Sequence, residues 1–368
     1  MKRIVFFIGN FLILPFLLSG CVRDMNRREI DEINLIRVLG IDFKQNEYTL
    51  SALFNATGGT DPESGSAMEE EITTRIGKTP YEAYEDLKRK ATKSISLGHT
   101  GYFLIGDAAA KNGIDICLDF LSRDETVKMD ALFYITKDSM ASDFMRKGIE
   151  NEQKIHEDLE AIRQKQEEML TRNDNTLVNL LNEMKQTNSS ILTPGYAVFD
   201  KYKLKDYLDE ETSAGVNFVK DIVRNYPIYL ENQVGLMVSY SDTKLDSRLE
   251  GKQIKITIKV DFESMIREVN TSDDIFTADR MNEHTKAQNK YLYDRINLAV
   301  NYSKATGLDI LQLARMVEKQ NMREWKKIES DWAQRISDIE YEYRFNSKIS
   351  KSFLLGWNSR IDLYEMRG

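Results

Sequence analysis

At 368 residues with a formal net charge of −8, the chain is long enough for two or three domains and too acidic to grip nucleic acid, which asks for a basic footprint. Two cysteines and three histidines argue against both a disulfide framework and a zinc centre built from clustered Cys and His. Beyond residue 20 no run is long and apolar enough for a membrane-spanning helix.

At the N-terminus, Lys2 and Arg3 precede an apolar run over 4–18, broken by Gly9, Asn10 and Pro15. Its fifteen residues fall short of the ~20 that span a bilayer, and the charge order is that of a secretory signal peptide over 1–20. Ser19-Gly20-Cys21 looks like a bacterial lipobox, so cleavage after Gly20 and a lipid on the Cys21 sulfur are expected. Each buried CH₂ contributes roughly 0.8 kcal/mol, so one acyl chain holds marginally and two hold firmly. Such processing shifts the charge from −8 to −10, because Lys2 and Arg3 leave and no acid does. No polybasic cluster invites the body to lie flat on anionic lipid. With Cys21 lipidated, Cys117 has no partner, and its setting in Ile114-Asp115-Ile116-Cys117-Leu118 reads as packing.

Residues 21–34 then form a charged stalk, with Arg23, Asp24, Arg27, Arg28, Glu29, Asp31 and Glu32. Strands over 35–43 and 48–54, joined by Lys44-Gln45-Asn46-Glu47, predict a hairpin. Residues 57–67 are rich in Gly, Ser, Pro and Asp and predict an exposed loop, followed by a strand over 71–76. Thr79-Pro80-Tyr81-Glu82 carries a capping box with Pro at the first helical position. Tyr84, Leu87 and Ala91 share a face of the helix that follows. A strand at 102–105 is expected, then Asp107 capping a helix over 108–112 that stops at Gly113. Helix over 114–121, strand over 128–136 and helix over 139–147 complete a mixed α/β domain spanning 35–148.

Residues 149–223 predict a helix-rich middle domain with a small hairpin. Ile155, Leu159, Ile162 and Met169 form one apolar stripe; after a restart at Asn173 or Asp174, Leu177, Leu180, Leu181 and Met184 form another. These helices read as a cover for a sheet or as a surface for a partner. The hairpin falls at 197–200 and 204–208, with a helix over 209–223. In the C-terminal domain, 224–368, Ile254, Ile256, Ile258 and Val260 alternate with Lys255, Thr257 and Lys259, which is a half-buried strand. Residues 234–240 supply a neighbour, and 339–345 alternate in the same way. Helices over 279–304, 309–318 and 322–332 lie between, so the expected unit is an antiparallel sheet with helices on one face.

No catalytic constellation emerges: no P-loop, no G-x-G-x-x-G, no G-x-S-x-G and no H-E-x-x-H. His99, His156 and His284 lack any ligand spacing, and the spacing of Trp325, Trp332, Tyr341, Tyr343 and Phe345 predicts core rather than a sugar platform. The chain is expected to be neither an enzyme nor a cofactor carrier, with no ligand-binding residues assigned.

Several stretches together resemble one family, the Ger(x)C lipoproteins, C subunits of bacterial spore germinant receptors. The lipobox is followed by Arg27-Arg28-Glu29-Ile30 and Val38-Leu39-Gly40-Ile41-Asp42, similar to that family's Arg-Glu-Leu block and Gly-Ile-Asp turn. Gly98-His99, Leu104-Ile105-Gly106-Asp107, Ala110-Lys111-Asn112-Gly113-Ile114 and Leu118 to Asp124 resemble its next block. Gly195 to Asp200 with Leu208 to Thr212 is similar to its central signature. Ile256 to Val260, Ile266-Arg267-Glu268, Asp309-Ile310, Trp325 and Trp332 extend the likeness to the C-terminal third. Val22 stands where the family commonly has Trp, and Leu311-Gln312-Leu313 replaces a Phe-Gly-x-Gly-like run.

The resemblance implies an α+β protein of three mixed domains, each a sheet flanked by helices, behind a lipoprotein signal peptide. It implies a non-enzymatic protein lipidated at Cys21, on the outer face of the inner spore membrane. The implied partners are two integral-membrane receptor subunits, A-type and B-type, and the implied signal is a small nutrient. The competing expectation, from the anchor alone, is a solute-binding lipoprotein that delivers a ligand to a transporter.

Overall fold

The computed structural model describes residues 33–55, 70–170, 175–184, 192–193, 197–231, 234–250, 253–270 and 275–350. The signal peptide, Cys21 and the stalk up to residue 32, the 57–67 loop and the restart at Asn173 or Asp174 lie outside them. In chain order the first elements are β1 (Ile33–Lys44), β2 (Glu47–Asn55), β3 (Glu70–Gly77), α1 (Pro80–Lys90), β4 (Ser94–Ser96), β5 (Tyr102–Gly106), α2 (Asp107–Asn112), α3 (Asp115–Arg123), β6 (Leu132–Thr136), α4 (Ala141–Glu150), α5 (Ile155–Met169) and α6 (Leu177–Met184). A small sheet follows, of β7 (Leu192–Thr193), β8 (Ala197–Asp200) and β9 (Lys203–Tyr207), then α7 (Glu210–Val219). The rest is β10 (Tyr226–Leu230), β11 (Val234–Glu250), β12 (Gln253–Val269), α8 (Ala278–Thr306), α9 (Leu313–Gln320), α10 (Met322–Trp325), α11 (Trp332–Arg335) and β13 (Glu340–Ser350). None of the described helices is long and apolar enough to cross a membrane.

The N-terminal sheet runs β3-β2-β1-β5-β6, with β4 beside β1. The β1–β2 hairpin turns through Gln45 and Asn46, both at positive φ, as a two-residue hairpin turn requires. Strands β1, β5 and β6 are parallel; α1 and α3 in the crossovers cover one face, and α4 and α5, which follow β6, cover the other. Ile36, Leu39, Ile41, Phe103 and Ile105 face α1, α3 and α6; Val38, Leu53, Leu104 and Leu132 face α4 and α5. Gly40-Ile41-Asp42 sits inside β1 rather than in a turn. The α1 capping box is formed: Thr79 Oγ1 accepts the Glu82 N–H at 3.1 Å, and Glu82 reaches back to the Lys78 N–H at 2.7 Å.

Asp107 does not cap its helix. It is the first helical residue, behind Gly106, and its carboxylate is taken instead by the Tyr207 hydroxyl at 2.8 Å and Lys111 at 2.6 Å. That contact ties the small hairpin to the first sheet. Phe199, Ala197 and Leu204 belong to the same core as β1, whereas Val198 on the opposite face joins the C-terminal core. The strand thus forms a wall between two cores, as its two-residue period allows.

The C-terminal sheet has the order β10-β11-β12-β13. Ile254, Ile256, Ile258, Val260, Phe262 and Ile266 are buried, and their neighbours are more exposed, so the alternation legible at 254–260 runs the length of the strand. Strand β13 lies parallel to β12, so the sheet is mixed and not antiparallel. The reason is connectivity: the chain between them crosses the sheet through α8 to α11 and re-enters at the same end. Ser264 interrupts the apolar row. It donates to Gln288 Oε1 at 2.7 Å; the Gln288 amide donates to Ser347 Oγ at 3.0 Å, and Ser347 to Asn289 Oδ1 at 2.6 Å. This satisfied polar rung fixes α8 against β12 and β13.

Helix α8 ends at Gly307, whose φ of 69° is the left-handed cap that glycine adopts at least cost. Gln312 takes the same conformation, with φ 56° and ψ 38°, just before α9. A non-glycine residue in this left-handed conformation is uncommon and costs roughly 1–2 kcal/mol.

Candidate functional site

Cys21, the one residue to which the sequence assigns a chemical role, lies outside the described residues. The described part places its most buried carboxylates on backbone rather than on reacting atoms. Asp42 is 1% exposed and accepts the N–H groups of Ala141 at 2.7 Å and Ser142 at 2.9 Å. A strand residue therefore caps a helix a hundred positions later. Burial raises the Asp42 carboxyl above its ordinary value, against the pull of the Ser142 and Ala141 N–H donors. Asp309 does the same for α9, accepting Leu313 N–H at 2.8 Å and Ala314 N–H at 2.7 Å, with the Trp332 indole N–H at 3.1 Å. Glu70 caps α5 through Ile155 N–H at 2.9 Å and His156 N–H at 3.2 Å. Each satisfies orphan donors of a helix N-terminus with a charge of favourable sign.

His156 and His284 lie on different helices, α5 and α8. His156 lies edge-on to Tyr102, ring centroids 5.6 Å apart, and His284 is buried on α8; burial lowers both. Among the described residues no group of three or more Cys, His, Asp or Glu is placed to hold a metal. Cys117 is fully buried, and burial pushes its thiol up to about 12, the packing role its apolar setting suggested. Trp325 and Trp332 are buried and meet edge-to-face at 5.1 Å; Tyr341, Tyr343 and Phe345 stack along β13 against the same core.

One ionic cluster holds α5 to the sheet. Glu160 accepts Arg163 Nε–H at 3.1 Å and the Tyr102 hydroxyl, and Arg163 also meets Glu167 at 2.7 Å. Arg163 first, then Tyr102, lowers the Glu160 carboxyl from 4.5 to about 2. A depressed carboxylate contributes stability above its unfolded value and loses it as pH falls through its folded value. Acid unfolding between about pH 4.5 and 2 is therefore expected to be shallower in Glu160→Gln than in the parent. Circular dichroism during acid titration reads this, and identical slopes would refute it.

A groove of about 660 Å³ lies between α1 and α3. Tyr84 and Phe120 form its floor, ring centroids 5.5 Å apart. Exposed Tyr81 and Ile116 stand on its walls, and Lys88, Glu85, Asp119 and Arg123 rim it. The rim charges are satisfied locally, Lys88 by Glu85 at 2.9 Å and Arg123 by Asp119 at 2.8 Å. Asp124, whose Oδ1 accepts the Thr126 N–H at 2.9 Å, also lines the groove and adds one carboxylate beyond these two ion pairs. The sequence places Tyr84 on the core face without revealing the groove; the i, i+3, i+7 spacing of Tyr81, Tyr84 and Lys88 is the available signal.

Comparison with known proteins covers nearly the whole length. Residues 26–197 match the family model described as "Spore germination protein N-terminal domain", and residues 194–352 match "Spore germination B3/ GerAC like, C-terminal". Spore germination protein KC of Bacillus subtilis (strain 168) is 23% identical over 364 residues, covering 87% of this chain and 89% of its own. The putative spore germination protein YfkR of the same organism is 23% identical over 296 residues, 73% of this chain and 76% of its own. The crystal structure of the GerBC protein matches at a TM-score of 0.54 and 15% identity, over 84% of this chain and 96% of that one, which shows the shared fold. With two adjoining models running from residue 26 to residue 352, this multi-domain α+β chain belongs to the Ger(x)C, or GerAC-like, family of spore germination proteins.

Proposed function

We propose that the chain is a non-catalytic, lipid-anchored subunit of a spore nutrient germinant receptor. It works beside two integral-membrane subunits, A-type and B-type, on the outer face of the inner spore membrane. The observation that carries this reading is the family match along almost the entire chain, starting five residues after Cys21. The Ser19-Gly20-Cys21 sequence supports the anchor. Strand β1 begins at Ile33, twelve positions beyond Cys21, so even a fully extended connector keeps the body within roughly 40 Å of its lipid. The use of Asp42, Asp309 and Glu70 as helix caps agrees with a structural body rather than a catalytic one.

The anchor is tested by Cys21→Ala. Two acyl chains separate firm from marginal attachment, so the variant is expected to leave the membrane pellet almost completely. Its circular dichroism should remain that of the parent. Sedimentation with membranes as full as that of the parent would show that Cys21 does not hold the chain there.

A further inference from the structure

Edges of β-sheets invite further strands unless something blunts them. Of the four edges of the two larger sheets, β6 is bridged at Leu132 by Thr176, β10 carries Pro227 within five residues, and β3 is the shorter at eight residues, with Glu70 at its start committed to α5. Strand β13 is different. It is eleven residues long, pairs with β12 in one unbroken register from Glu340 to Ser350, and contains neither proline nor bulge. Among the described residues nothing pairs along its other side.

The sequence of β13, Glu-Tyr-Glu-Tyr-Arg-Phe-Asn-Ser-Lys-Ile-Ser, is complementary to itself when reversed. An antiparallel pair related by a twofold axis must match residues of one face with the same face, so the axis passes through a residue. With the axis at Phe345, Glu342 faces Lys348 of a second copy, and Lys348 faces its Glu342. On the other face Tyr341 meets Ile349, and Phe345 meets Phe345. Moving the axis to Arg344 would set arginine against arginine; moving it to Tyr343 would leave Ser347, Lys348, Ile349 and Ser350 without partners in the strand. Lys348 is exposed, and among the described residues it makes no ion pair within its own chain. Glu342 is shared by Lys255 at 3.3 Å and Arg344 at 2.6 Å, and a carboxylate with about four acceptor positions can take one more donor.

We propose that a second copy of this chain occupies the β13 edge, joining two four-stranded sheets into one eight-stranded sheet across a twofold axis at Phe345. The association is isologous, so each charge substitution acts twice. The test is sedimentation of the full chain in detergent for the parent, Glu342→Lys, Lys348→Glu and the double exchange. The parent is expected to dimerise, each single variant to associate at least about tenfold more weakly, and the double exchange to recover. Lys348→Glu alters a side chain with no ion-pair partner among the described residues of its own chain, so its effect is separable from misfolding if Glu342→Lys is unstable. A second arm joins Glu342→Cys to Lys348→Cys in one chain. Opposed strand residues lie about 4.5–5.5 Å apart at Cα, within disulfide reach, so oxidation should give a covalent dimer while buried Cys117 stays silent. A parent that remains monomeric, a double exchange as weak as the singles, or a double-cysteine chain that does not cross-link would each overturn the proposal.

Discussion

Replacing Asp42 with alanine is expected to destabilise the N-terminal sheet by about 3 kcal/mol, the largest effect of any single polar truncation in that half. The carboxylate is 1% exposed and answers two N–H groups at 2.7 and 2.9 Å. Ala141 and Ser142, which donate them, are themselves buried, so water cannot take the place of the lost acceptor. The substitution Asp42→Asn would keep one acceptor and recover part of the loss, which separates a hydrogen-bonding role from mere filling of space. A second site strengthens the test. A Cβ on Gly106 would stand 2.0 Å from Asp42 Oδ1, so Gly106→Ala displaces the same carboxylate. In a chain already carrying Asp42→Ala the second substitution should cost little, a non-additivity expected of residues in contact. Urea unfolding followed by far-UV circular dichroism reads the parent and each of these variants. Additive losses, or an unchanged midpoint for Asp42→Ala, would remove Asp42 from its place as the clamp of α4.

Gly215→Ala is expected to cost about 3 kcal/mol in the C-terminal half, where an exposed helical Gly→Ala would instead gain about 1 kcal/mol. Helices α7 and α8 cross there. A Cβ on Gly215 would fall 2.0 Å from the Arg295 carbonyl oxygen and 2.6 Å from its carbon, main-chain atoms in the middle of a 29-residue helix. Backbone in such a helix cannot step aside as a side-chain tip can, so the helices must separate. The two substitutions are also told apart by probe. Trp325 and Trp332 sit in the C-terminal core, and the third tryptophan, Trp357, lies beyond the described residues. Tryptophan emission should therefore report Gly215→Ala more strongly than Asp42→Ala. A stabilised Gly215→Ala chain would contradict the close crossing.

Much of this architecture is legible in the sequence where local chemistry decides it. The Thr79–Glu82 capping box, the turn at Gln45 and Asn46, and the two-residue period of 254–260 each depend on residues within a few positions of one another. What is decided at long range is not legible. Whether β13 lies parallel or antiparallel to β12 depends on where the α8–α11 crossover returns the chain, and the alternation at 339–345 is the same either way. Asp107 has the residue type of a cap, yet Tyr207, a hundred positions away, claims it. Asp42 carries no local sign of its task, because both its partners lie on α4. Gly215 does carry a sign, a glycine inside a helical stretch, which marks close approach more often than flexibility.

We propose above that the chain works as the anchored subunit of a receptor whose other parts span the membrane. The most direct measurement is affinity capture of the full chain, tagged after Gly368, from detergent-solubilised membranes of dormant spores. Recovery of two polytopic germination subunits in constant proportion to the bait is the predicted result. Recovery of an ATP-driven transporter in their place, or of the bait with no polytopic partner, would contradict it.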